Sequence, residues 1–297
     1  MSRTRKRVSG KRPVTDDAHF VRKLSAAHGK ANVLIAGRDN GRFAKLVTFS
    51  GKGNMIVQAC LNGARLAAYH PALPLAVAAV AADAVACVAA GAAELHLHPR
   101  GPDGRESLAP AAMDATVLAV RRACPGTLAG VSTGAWIEGD ADRTLACIEN
   151  WRELPDYASV NLSEPGAPAV MERLWRRGIG VEAGLASAAD AERLVALGLG
   201  ARALRILIEI EAQDEGEALA VAEGIEAVLA RAGLRRPVLL HGLDATVWRF
   251  VARAAERRFS TRVGLEDGCL LPDGAVSPGN AALVAAATGL FAGSPHP

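Results

Sequence analysis

His96 and His98, one residue apart in the run AELHLHP, are the side chains most suited to metal chemistry. The run reads as a β-strand, on which side chains alternate faces with a period of two, so both imidazoles project to one side and Leu97 to the other. Two neutral nitrogen donors converging near one point make half of a His2Glu zinc site of the catalytic kind, which takes three protein ligands and keeps a position for substrate. Glu266, in RVGLEDG at the end of the last strand-like run, is the best carboxylate to complete it. The pattern HxH alone is a weak signal, because a histidine inside a protein ordinarily just bonds its neighbours. A carboxylate pair, Glu266 and Asp267, at a second strand end favours the metal reading. His70 and His241 remain spare candidates.

Holding such groups together requires strands whose ends meet. From Met55 onward, short apolar runs rich in β-branched residues alternate with longer stretches of helical period, eight times over. The strand-like runs are MIVQACL, AELHLHP, TLAGVSTG, YASVNLS, GIGVEAG, ALRILIEI, PVLLHG and STRVGLED. Helices are expected between them, among them PLAVAAVAADAVACVAAGA, stopped at Gly91, and EALAVAEGIEAVLARAG, stopped at Gly233. Eight βα units predict an α/β fold of the (β/α)8 kind, a TIM barrel. An open doubly wound sheet is the competing architecture, but LNGARLAAYHP after the first strand is not the Gly-rich phosphate turn that fold normally carries. In (β/α)8 barrels catalytic groups sit where strands end and βα loops begin. Asn62, His96, His98, Ser132, Asn161, Glu164, Glu182, Glu209, His241, Arg262, Glu266 and Asp267 all fall at such places.

The bulk numbers agree with one large domain. The chain has 297 residues, half of them hydrophobic, which suits a sizeable buried core and excludes disorder throughout. No apolar run of membrane-spanning length escapes interruption by a charge, Gly or Pro, and the start lacks the apolar core of a secretory signal, so a cytoplasmic location is expected. The five cysteines are widely spaced and form no CxxC pair, the habit of reduced, buried thiols. The net charge of +3 hides an asymmetry: residues 1–54 hold 13 Lys/Arg against 3 Asp/Glu, and residues 55–297 hold 21 against 28. We read 1–54 as a disordered basic extension with no catalytic part, in preference to a nucleic-acid-binding arm, and 55–297 as the barrel.

The stretches ACLNGAR, AGAAELHLHPRGPDGR, VSTG, RVGLEDG and LPDGAVSPGNAALV, in that order and spacing, resemble the beta-keto acid cleavage enzymes, which include 3-keto-5-aminohexanoate cleavage enzyme. The resemblance spans nearly the whole barrel. It implies a zinc-dependent acyltransferase, usually a homotetramer, in which a beta-keto acid and acetyl-CoA become acetoacetate and a new CoA thioester. It also implies that His96, His98 and Glu266 are the metal ligands, Asp267 the base, Arg262 its partner, and Ser132 the group that meets the substrate carboxylate. Thr133 beside Ser132, and Asn62 at the first strand end, are further candidates to bind substrate.

Two positions depart from the family pattern. Arg65 stands after LNGA, where the aminohexanoate enzymes carry a glutamate suited to an ammonium group. An arginine there predicts a beta-keto acid with an anionic or neutral polar tail, unless Arg65 turns away and pairs with a nearby acid. Gly268 replaces the asparagine that commonly follows the acidic pair, and a small local change is expected. Arg100 and Arg105 could meet CoA phosphates, although solvated arginines are the ordinary outcome. Two other functions fit the same residues: a metal-dependent lyase or hydrolase that uses no CoA, and a ligand-binding barrel with no catalysis.

Overall fold

The computed structural model describes residues 55–292 and the backbone of two strands, β1 (Leu34–Asp39) and β2 (Arg42–Leu46), which pair antiparallel. Sequence reasoning placed no strand before Met55; the rest of the basic extension expected over 1–54 lies outside the described residues. The chain divides into two compact units, Met1–Asn54 and Met55–Pro297, and the second carries all the chemistry discussed below. No helix among the described residues is long and apolar enough to cross a membrane.

In the second unit eight strands follow one another in the expected places: β3 (Val57–Cys60), β4 (Glu94–Leu97), β5 (Leu128–Ser132), β6 (Tyr157–Asn161), β7 (Gly180–Leu185), β8 (Arg205–Ile210), β9 (Val238–Gly242) and β10 (Thr261–Val263). Each pairs in parallel with the next, β10 returns to pair with β3, and a parallel bridge from Leu239 to Ser260 closes the ring between β9 and β10. Helices occupy the crossovers, as parallel neighbours require. The principal ones are α1 (Val77–Ala89), α2 (Pro110–Ala123), α4 (Ala141–Asn150), α5 (Ala167–Arg176), α6 (Ala188–Ala196), α7 (Glu215–Arg231), α8 (Val247–Arg257) and α9 (Asn280–Ala292), with a one-turn α3 (Ala135–Glu138) after β5. The architecture is the (β/α)8 barrel.

Local chemistry sets the helix ends. Asp214 accepts from the Glu217 amide at 2.9 Å to open α7, and Gly233 just past its end takes φ +63°, a left-handed conformation that glycine adopts without strain. Outward strand residues such as Leu95, Leu97, Val131, Val160, Val181 and Ile208 pack against the buried faces of the helices, so the hydrophobic core is the annulus between sheet and helices. The inward face is polar. Arg205, fully buried, bonds Glu94 and, at 2.6 Å, Glu182, while Gln58 donates to Tyr157 at 2.9 Å and to Glu182 at 3.1 Å. Gly130 makes room for the Tyr157 ring, because a Cβ there would lie 1.9 Å from it.

The last strand is shorter than the run STRVGLED. The chain turns at Gly264, whose carbonyl accepts from the amides of Asp267 and Gly268 at 2.9 and 3.0 Å, and a helical turn replaces the strand's end. That turn carries both acidic residues.

Candidate active site

β4 presents Glu94 and His96 on its inner face, His98 follows directly after its end, and the turn after β10 brings Glu266 across to the two histidines. His96 Nε2 and His98 Nε2 lie 3.2 Å apart; Glu266 Oε1 lies 3.3 Å from the second and 3.8 Å from the first. One donor atom from each residue falls within 4.8 Å of the others, the one such set of three among the described residues. His98 Nδ1 faces Glu106 Oε1 at 2.5 Å, so that nitrogen carries a proton and Nε2 is the one that faces the cluster. Burial pushes His96 down to about 4 and keeps it neutral. Burial acts the same way on His98, but Glu266 and Glu106 outweigh it and lift that ring to about 9. Three donors this close need one positive charge among them, which either a proton on His98 or a divalent cation supplies. The donor set, two imidazoles and a carboxylate with Glu266 Oε2 buried and lacking a hydrogen-bond partner, fits a zinc-type ion.

Two residues of the quoted motifs to which sequence reasoning gave no role, Gly63 and Asn280, hold Glu266 in place. Gly63, in LNGAR, takes φ +53°, and a Cβ there would lie 2.4 Å from Glu266 Cγ. Asn280, in SPGNAALV, accepts from the Leu265 amide at 2.6 Å and donates to the Leu61 carbonyl at 2.8 Å and to Asp83 at 2.7 Å. It therefore ties the end of β3 to the turn that bears Glu266.

Asp267 and Arg262 meet as expected, at 2.7 Å, both buried. The same Nη2 reaches Glu266 at 2.9 Å and Glu209 at 3.4 Å. Burial raises the Asp267 carboxyl above its ordinary value, against the pull of Arg262 and His241. His241 is not with the other two histidines; it stands between Asp267 at 3.5 Å and Glu209 at 3.2 Å. His70 also lies apart from the cluster, with Nε2 on the Ser277 carbonyl at 2.9 Å.

The residues assigned to substrate divide. Ser132 is buried one position past the Leu97–Val131 pair, level with His98, and accepts from the Gly134 amide at 3.3 Å, which leaves its own proton available. Thr133 spends its proton on the Ser159 carbonyl at 2.7 Å. Asn62 spends both amide groups on the His98 backbone, each at 3.0 Å, and so positions the strand end. Arg65 follows the second course considered for it: it pairs with Asp244 at 2.7 Å and lies over the Tyr69 ring. Arg100 is committed to the carbonyls of Gly63 and Arg65, and Arg105 is exposed. Gly268 packs close to Val247, 3.1 Å from where its Cβ would lie. Sequence reasoning missed Glu106. The turn residues GPDG after HLHPR were the available signal, since they fold the chain back and bridge Glu106 to Arg100 beside the strand end.

A parallel barrel with two histidines and a glutamate clustered at the ends of its strands defines a (β/α)8 protein built to hold a ligand or ion at its C-terminal mouth. A sequence model described as beta-keto acid cleavage enzyme matches residues 54–294, and the chain belongs to that family. Among solved structures, the ternary complex of ObcA with a C4-CoA adduct and oxalate is similar at TM-score 0.62 and 17% identity, over 75% of this chain and 64% of that one. The binary complex of ObcA with oxaloacetate is similar at TM-score 0.58 and 18% identity, over 72% and 62%. The homocysteine methyltransferase MmuM from Escherichia coli aligns at TM-score 0.50 and 15% identity, over 79% and 95%. These likenesses show the shared fold, and the chain spans less than two thirds of the ObcA structures' length.

Proposed function

We propose that this chain is a zinc-dependent acyltransferase that condenses a beta-keto acid with acetyl-CoA and releases acetoacetate and a new acyl-CoA. The observation that carries the reading is the His96–His98–Glu266 cluster with the Asp267–Arg262 pair directly beside it. Zinc held by His96, His98 and Glu266 would act as a Lewis acid, worth several kcal/mol to negative charge developing on the keto oxygen.

The remaining work falls to the chain's own side chains. Asp267, its carboxyl raised by burial, takes the proton between ketone and carboxylate, and Arg262 holds it in line. Ser132 offers its free proton to the substrate carboxylate. The substrate carbon then bonds to the acetyl carbonyl as CoA thiolate leaves. The thiolate adds to the original keto carbonyl, the bond between that carbonyl and the substrate carbon breaks, and the carbanion left on that carbon takes the proton back from Asp267. Atoms balance: one acyl group moves to CoA and acetyl takes its place. Arg65, paired with Asp244 and bonded to the Glu266 carbonyl, has its charge spent inside the protein and sets no preference for the charge of the substrate tail. The same reading takes the enzyme as a cytoplasmic homotetramer with residues 1–54 outside the catalytic barrel; the family match begins at residue 54.

Metal analysis of purified protein, beside an assay for acetoacetate from acetyl-CoA and a panel of dicarboxylic, neutral and amino beta-keto acids, tests it. One zinc per chain and CoA-dependent product, both lost in His96→Ala, is the expected result. Metal without CoA-dependent turnover would point to a lyase or hydrolase, and the panel identifies which tail the pocket takes. Arg262→Ala is expected to abolish turnover, and a full-rate variant would overturn its part.

A further inference from the structure

We infer that Glu106 and Trp136 are positioning residues that fix which nitrogen of His98 faces the metal site. This rests on the reading that His96, His98 and Glu266 hold a metal. A neutral imidazole has one proton, and a carboxylate can only accept, so the nitrogen beside Glu106 is the protonated one. Glu106 Oε1 lies 2.5 Å from His98 Nδ1, which leaves Nε2 as the ligand atom. The other oxygen, Oε2, accepts from the Trp136 indole at 3.0 Å. With one donor on each oxygen, the carboxylate cannot rotate without losing a bond.

The surroundings hold this pair in turn. Trp136 is the second residue of α3, and its ring lies across Gly134, where a Cβ would fall 2.2 Å from ring atoms. Only a glycine lets the indole lie there. Its body is 53% exposed while its N–H points inward to Glu106. On the other side, the bridge between Arg100 and Glu106, with the Arg100 guanidinium on the Gly63 and Arg65 carbonyls, joins this loop to the segment packed on Glu266. One ligand of the metal set is thus oriented from a loop that also touches the support of another.

The test is zinc affinity of metal-depleted full-length protein, measured by competition with a chromophoric chelator, alongside thermal unfolding of the same metal-depleted samples. Glu106→Ala is expected to weaken zinc binding by about 10–100-fold while the metal-free protein keeps its fold. Glu106→Asp, which keeps the charge, is expected to restore part of that loss, and Trp136→Phe to show a smaller loss. If Glu106→Ala does not fold, Glu106→Leu, which fills space without offering an acceptor, carries the comparison. Wild-type affinity in a folded Glu106→Ala or Glu106→Leu protein overturns the inference, and so does a wild-type chain that binds no zinc. Zinc binding that depends on Glu106 in a protein with no CoA-dependent turnover would remove the proposed reaction and leave this inference standing.

Discussion

Arg262 serves three carboxylates at once, Asp267, Glu266 and Glu209, and the acids it leaves partly balanced set how the protein meets low pH. Burial pushes Glu209 up, but its bond to His241 and the charge of Arg262 outweigh burial and the repulsion of Glu266, holding it at about 2. A carboxylate depressed in the folded state contributes stability that is complete above its unfolded pKa of about 4.3 and is lost as pH falls through the folded value. Denaturant midpoints are therefore expected to drop between about pH 4.5 and pH 2, and to drop less in Glu209→Gln. An unchanged slope in that variant would assign the acid sensitivity elsewhere. At this scale HxH and the Arg262–Asp267 pair were legible, because period two and strand ends suffice to find them. Thr133 and Asn62 were legible only as polar residues at strand ends. Spacing does not say whether a hydroxyl or amide faces the cavity or a neighbouring backbone, and here both turned to backbone.

Among the elements, the turn after β10 is the one whose placement decides the site. Gly63 and Asn280 hold it from two directions, one by having no side chain and the other by bonding both segments. Gly63→Ala introduces a Cβ into space that Glu266 occupies and puts a non-glycine residue at φ +53°. It is expected to cost about 1–3 kcal/mol in backbone strain and to strip most of the bound metal from a protein that remains folded. Metal content and thermal unfolding of the same sample check this, and full occupancy in the variant would show that Glu266 is free to move aside. All eight strands and the stops at Gly91 and Gly233 were readable from alternation and turn residues. The conversion of GLED from strand to helical turn was not, since the Gly264 carbonyl that captures two later amides is a backbone event. Glu106 escaped for a related reason: it sits in a loop, where no periodicity points inward.

For the whole molecule, the unusual feature is a barrel whose axis is ionic. Glu94, Glu182 and Arg205 form a sealed layer beneath the histidines, and Arg205 is the cation that bonds both acids. Arg205→Met leaves two buried carboxylates unpaired and is expected to destabilise the fold by about 3–5 kcal/mol, read from denaturant unfolding. A near-neutral result would mean that the acids take up protons at little cost. The eightfold alternation made the barrel legible, and the alternation in ELHLH showed a polar inner face, but not which acid meets which base across the ring. Ring closure has a further consequence. His96 and His98 come from the second barrel strand, whereas Glu266 follows the last one, which must pair back onto the first before the third ligand reaches the other two. A chain still emerging from the ribosome holds His96 and His98 without Glu266. On the proposed metal reading, the full three-donor set therefore exists only once the final strand is in place.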